Sequence, residues 1–284
     1  MRHMFKNREG KVRSGWKLFF VTVAFFALAQ LVRLVFGQWL WLVLTIQSAL
    51  LAVVVLVAWR VVAKRRMSEM GLGCVKGKEL LAGLLLGLVS AVLVFAVIVL
   101  TGSAYIESWI PRFTADTVLF LLAFVCVGVA EEMLTRGYVM SVLRQTKSVP
   151  VILLVSSVLF SLMHAFNDGF GLLPFVNIVL TGLLLAYMFF KSGSIWMPIG
   201  YHIMWNYAQG NVFGFHVSGF EVQGLINTQY AQENVINGGP FGFEGGVAAT
   251  AVILLSFLFV RWYYRKSRFE FLSMDGQSAV TDRL

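Results

Sequence analysis

The sequence predicts an all-α, polytopic membrane protein. Of its 284 residues, 58% are hydrophobic and only 13% are charged, and the mean hydropathy is +0.79. Soluble domains run at about 45–50% apolar and about 25% charged, so a water-soluble globule would lack the polar surface it needs. The same composition excludes a disordered chain. A net charge of +9 could suggest a nucleic-acid partner, but Lys and Arg fall in short clusters between apolar runs. That is the positive-inside pattern of a membrane protein, and no nucleic acid is expected. Two cysteines, Cys74 and Cys126, make neither a disulfide framework nor a four-ligand zinc site.

A helix needs about 20 apolar residues to cross a bilayer. Eight candidate spans follow a basic tail, 1–16: 17–36, 40–62, 79–101, 117–141, 150–167, 174–191, 195–211 and 246–264. In the first span, Ala27-Leu28-Ala29 mimics a signal-peptidase site, but the apolar run continues through Phe36, which favours a retained helix. Arg33, near its outer end, suits a side chain that snorkels to the headgroups. The third span carries Gly83-x-x-x-Gly87, a spacing for close helix packing. The fifth to seventh spans are short and interrupted by Pro, Gly or polar residues, so they should pack against protein.

Charge sets the orientation. Lys and Arg cluster before the first span and after the second, fourth, sixth and eighth, whereas 37–39 and 212–245 have none and 102–116 has only Arg112. Both termini are therefore expected in the cytoplasm, with 265–284 a cytoplasmic tail. The segment 212–245 becomes an extracytoplasmic loop of 34 residues. Loops this long are usually functional or disordered, and its Gly-rich end and aromatics suit a lid folding over a site. His3 and His216 lie outside the spans and are expected to be solvated. The whole chain, 1–284, is read as one integral domain with a core at 117–211.

Ionisable groups inside the hydrocarbon core are costly and mark function. Here they fall on three spans: Glu131, Glu132 and Arg136 on the fourth, His164 on the fifth, and His202 with Asn206 on the seventh. Glu132 and Arg136 are four apart on one helix face, in the orientation that favours an ion pair. Glu131 is rotated by about 100° from Glu132 and stays free for chemistry. At about 1.5 Å per residue, Glu131 lies about 15 Å from Ser141, His164 about 21 Å from Pro150, and His202 about 16 Å from Lys191. The three sets sit at a matching depth near mid-membrane.

These residues resemble the three motifs of the CAAX protease and bacteriocin-processing (CPBP, or Abi) family of intramembrane proteases. Its Glu-Glu-x-x-x-Arg, Phe-x-x-x-His and His-x-x-x-Asn patterns are matched by Glu131-Glu132 with Arg136, Phe160 with His164, and His202 with Asn206. The resemblance covers about 117–211, and the loop segments Val217-Ser218-Gly219 and 238–245 look like those of prokaryotic members. It implies an endopeptidase of the prokaryotic cytoplasmic membrane acting on membrane-associated peptides or lipid-modified tails, with bacteriocin processing among the family's roles.

Peptide hydrolysis needs an activated water and donors for the oxyanion. Glu131 is expected as general base with His164 helping to hold the water. His202 and Asn206 would donate to the oxyanion, and Glu132, Arg136 and Phe160 would support them. No cofactor is favoured. A zinc site on Glu131, His164 and His202 is the alternative, although the His-Glu-x-x-His spacing of many zinc proteases is missing. A non-catalytic scaffold or bacteriocin self-immunity protein is the alternative function. A proton-coupled transporter fits less well, because its expected repeat of broken helices is missing.

Overall fold

A computed structural model describes residues 14–108, 111 and 113–273. The basic residues Arg2, Lys6, Arg8, Lys11 and Arg13, together with His3, Arg112 and the last eleven residues of the tail, lie outside the described residues. Eight long helices account for most of the rest: α1 (Ser14–Phe36), α2 (Leu40–Leu56), α3 (Gly77–Leu100), α4 (Ala115–Glu132), α5 (Val149–Leu162), α6 (Leu172–Ser192), α7 (Trp196–Tyr207) and α8 (Val247–Tyr263). Three of them continue as π-helix: α2 through Val57–Val62, α4 through Met133–Met140 and α7 through Ala208–Val212. Five helical segments, those of α1, α2, α3, α4 and α6, are long and apolar enough to cross a membrane, while α5 and α8 are shorter apolar helices. The chain is an all-α, multi-pass membrane protein.

The fifth expected span, 150–167, is the one that differs. Its helix stops at Leu162, and His164 lies on the turn that follows. The cause is local. His164 Nδ1 donates to the Phe160 carbonyl at 2.9 Å, occupying the acceptor that the next helical turn would use, and the His164 amide bonds Ser161 instead. Gly169, with φ +73°, then turns the chain toward α6.

Two glycines explain how α7 is seated. A Cβ at Gly83 or Gly200 would run into the backbone carbonyl of Met197 or Leu80, so α3 and α7 meet backbone to backbone. The Gly83-x-x-x-Gly87 spacing thus serves packing within the chain, against the helix that carries His202 and Asn206. Loops close the two ends of the bundle. At one end β1 (Ala104–Ser108) pairs antiparallel with β2 (Asn227–Tyr230), tying the α3–α4 connection to the long loop after α7. At the other end, the turns after α2, α4, α6 and α8 bond to one another through Glu69, Gly71, Lys191 and Ser192.

Candidate active site

The fourth helix changes geometry at its charged residues. The π-helical stretch begins directly after Glu132, and all eight of its residues are buried. Such wide turns recur at functional sites and release carbonyls that need new donors. Thr135 Oγ1 donates to the Glu131 carbonyl at 2.6 Å, and Ser156 Oγ donates to the Thr135 carbonyl at 2.9 Å. The hydroxyls of the sequence are placed where the backbone loses its usual partners.

Arg136 is fully buried. Its Nη1 donates to Glu132 Oε1 at 2.9 Å and to Thr135 Oγ1, and its Nη2 donates to the Gly182 carbonyl at 3.1 Å. The guanidinium also lies over the Phe160 ring, 4.5 Å from its centre. The expected Glu132–Arg136 pair is present, but Glu132 does more than pair with it. The same Oε1 accepts a hydrogen bond from His202 Nδ1 at 3.1 Å. That fixes the ring so that Nε2 faces Glu131, 3.8 Å from its Oε2. His202 therefore stands between the two adjacent carboxylates. Glu131 Oε2 is buried and accepts no hydrogen bond.

Phe160 holds both imidazoles at right angles to its own ring, with centres 5.3 Å from His164 and 5.7 Å from His202. The same ring lies under the Arg136 guanidinium. His164 donates from Nδ1 to a carbonyl, so its other ring nitrogen, Nε2, is the acceptor. Asn206 is buried and shares a cavity of about 30 Å³ with His164 and His202. That volume holds about two waters, each needing roughly 10–15 Å³.

The structure thus gathers Glu131, Glu132 and Phe160 around His202, with Arg136 on Glu132, and sets His164, His202 and Asn206 on one cavity whose lining does not include Glu131. Among the described residues, no group of three His, Cys, Asp or Glu is placed to bind a metal ion.

Sequence reasoning missed one acidic group. Glu244, from the end of the long loop, lines the same cavity together with Ser218. Its carboxylate accepts hydrogen bonds from Trp205 Nε1 at 3.1 Å and Gln209 Nε2 at 2.7 Å. Its carbonyl accepts from Asn177 Nδ2 at 2.8 Å. Burial pushes the Glu244 carboxyl above the usual carboxylate range, opposed by the hydrogen bonds from Gln209 and Trp205 and by nearby His164. The signal was present on α7: 202, 206 and 209 continue one helix face, so Gln209 needed a polar partner there. His216, expected to be solvated, instead stacks on Tyr230 with ring centres 6.0 Å apart. Asn167 and Gln47 serve structure, donating to the carbonyls of Ser218 and Ala29.

Neither a curated protein nor a solved structure matches the chain. Residues 112–208 match the family model described as type II CAAX prenyl endopeptidase Rce1-like, a segment that contains every motif residue of the site. Over that segment the chain is similar to the Rce1-like, type II CAAX prenyl endopeptidases.

Proposed function

We propose that the protein is a glutamate-type intramembrane endopeptidase of a prokaryotic cytoplasmic membrane, with both termini in the cytoplasm, cleaving membrane-associated or lipid-modified peptides. Processing of bacteriocin-like precursors is the role that suits it. The observation that carries this reading is His202 held between Glu132 and Glu131, beside a cavity shared with His164 and Asn206.

In this reading Glu131 takes the proton of the attacking water, and His164 Nε2 accepts a second hydrogen bond from the same water. The tetrahedral intermediate places negative charge on the former carbonyl oxygen. The Asn206 amide donates to it, as does Nε2–H of a His202 ring that is protonated while its Nδ1–H bonds Glu132. The proton held by Glu131 then passes to the leaving amine. Every step uses side chains of this chain alone.

The test is direct. Purified protein in detergent is incubated with membrane peptides, lipid-modified and unmodified, and the fragments are read by mass spectrometry. New termini should form with and without a chelator and disappear in His164→Ala. Cleavage abolished by the chelator would replace this mechanism with a metal-dependent one. No fragments from any peptide would favour a scaffold or immunity role.

A further inference from the structure

The two ends of the bundle differ in charge, and the cavity belongs to only one of them. At the first end the chain gathers its basic turns. Arg144 Nη2 donates to the Glu69 carbonyl, Lys76 Nζ to the Ser192 carbonyl, and Ser267 Oγ to the Lys191 carbonyl. Lys or Arg occurs in each of these turns, at 64–66, 76–78, 144–147, 191 and 265–268. The native Cys74 is exposed at this end, where its carbonyl accepts from Trp196 Nε1.

At the second end the strand pair, the turn after α5 and the long loop meet. Asn237 Nδ2 donates to the Ser103 carbonyl, Asn167 Nδ2 to the Ser218 carbonyl, and the Gly219 amide to the Phe241 carbonyl. This end carries Glu107, Asp168, Glu221, Glu233 and Glu244, and the loop 212–246 contains no Lys or Arg. Arg33, near the end of α1, is the one cation there among the described residues.

The cavity reaches the acidic end and is shut off from the basic one. Ser218 and Glu244 of the long loop and His164 of the post-α5 turn line it, and no residue of the basic turns does. Helix α5 has 14 residues and so rises only about 21 Å across a hydrocarbon core of about 30 Å. Beyond it the chain runs as turn and loop through 163–171 before α6 begins. Toward the basic end, Met133, Leu134, Tyr138, Met140 and Leu143 pack with Met70, Ile195 and Phe271 in one apolar cluster. Below the charged residues there is a seal, and above them a loop.

Basic turns stay on the cytoplasmic side of a membrane. We infer that the active site is served from the extracytoplasmic face, and that its substrates are peptide segments already delivered there, with neutral or basic flanks that suit an acidic rim. Tails displayed on the cytoplasmic face are thereby excluded as direct substrates. This inference rests on the proteolytic reading for its substrate, but its sidedness is tested separately.

In a Cys74→Ser, Cys126→Ser background, Glu221→Cys is compared with the chain that retains only Cys74. A membrane-impermeant maleimide should label the cysteine at 221 in intact spheroplasts and Cys74 only in inverted vesicles. The full-length protein is then reconstituted in liposomes sorted by that labelling, and a peptide cleaved in detergent is added from outside. Cleavage should persist when the 221 face is outward and be lost when the Cys74 face is outward. Reversed labelling, or cleavage only from the Cys74 face, would overturn the inference. Failure to cleave in detergent would instead overturn the proteolytic reading, and the labelling would still decide the sidedness.

Discussion

Helices α1 and α4 are almost equally apolar, with mean hydropathies of 2.2 and 2.1 over their most apolar windows, yet 18% of the first window is buried and 56% of the second. Hydropathy alone does not separate them. What does is the position of the polar groups. The one ionisable residue in the apolar body of α1, Arg33, is exposed near the helix end. The segment of α4 holds Glu131, Glu132 and Arg136 in its middle, where Arg136 and Glu132 are fully buried and bonded to each other. A membrane helix that faces lipid can hide no charge, so charge in mid-helix reports packing against protein.

Breaking the buried pair should have the largest effect on stability. Arg136→Ala strands Glu132 without its cation, a loss of about 3–5 kcal/mol for a buried pair, and should lower the unfolding midpoint in detergent together with activity. The double variant Glu132→Gln, Arg136→Met should recover stability but not activity, because His202 also depends on Glu132 for its orientation. An unchanged midpoint in Arg136→Ala would refute the pairing. Gly83→Leu comes next, forcing α3 away from α7 at the Met197 carbonyl. Overpacking of this kind costs about 1–3 kcal/mol and should also slow turnover, since α7 carries His202 and Asn206. Full stability in that variant would show that the helices separate freely.

The effect of Glu244→Gln should be smaller and depend on pH. Burial raises the folded-state pKa of Glu244 above its unfolded value, so the folded state holds the proton more tightly. Its contribution to stability is full below the usual carboxylate range and is lost as pH rises through the raised value. Thermal midpoints measured across that range should fall with pH in the wild type and less so in the variant. Parallel curves would place the titration elsewhere. Arg33→Ala should change least, leaving the unfolding midpoint where it was, because surface positions away from special contacts are nearly neutral. A clear loss there would remove the contrast between α1 and α4.

Much of this was legible in the sequence because hydropathy and charge are local quantities. The eight helices follow the apolar runs, and the i, i+4 spacing of Glu132 and Arg136 anticipates their ion pair. Where the sequence misled, the cause was a side chain competing with backbone. Nothing in the apolar run from Pro150 shows that His164 will take the Phe160 carbonyl and stop the helix two residues earlier. The double service of Glu132 was hidden for a different reason: i, i+4 spacing identifies Arg136 but says nothing about a ring on α7. Glu244 lay in a loop whose path no periodicity encodes, and it reached the cavity through Trp205, Gln209 and Asn177, contacts between segments far apart in the chain.

The central claim is that Glu131, and not the scaffold around it, supplies the chemistry. It is tested by comparing wild type with Glu131→Gln for two quantities at once, kcat/KM on a cleaved peptide and the unfolding midpoint in the same detergent. The account predicts a fall of about 10²–10⁴ in rate, the scale of a lost general base, with the midpoint unchanged. Cleavage at the wild-type rate would contradict it.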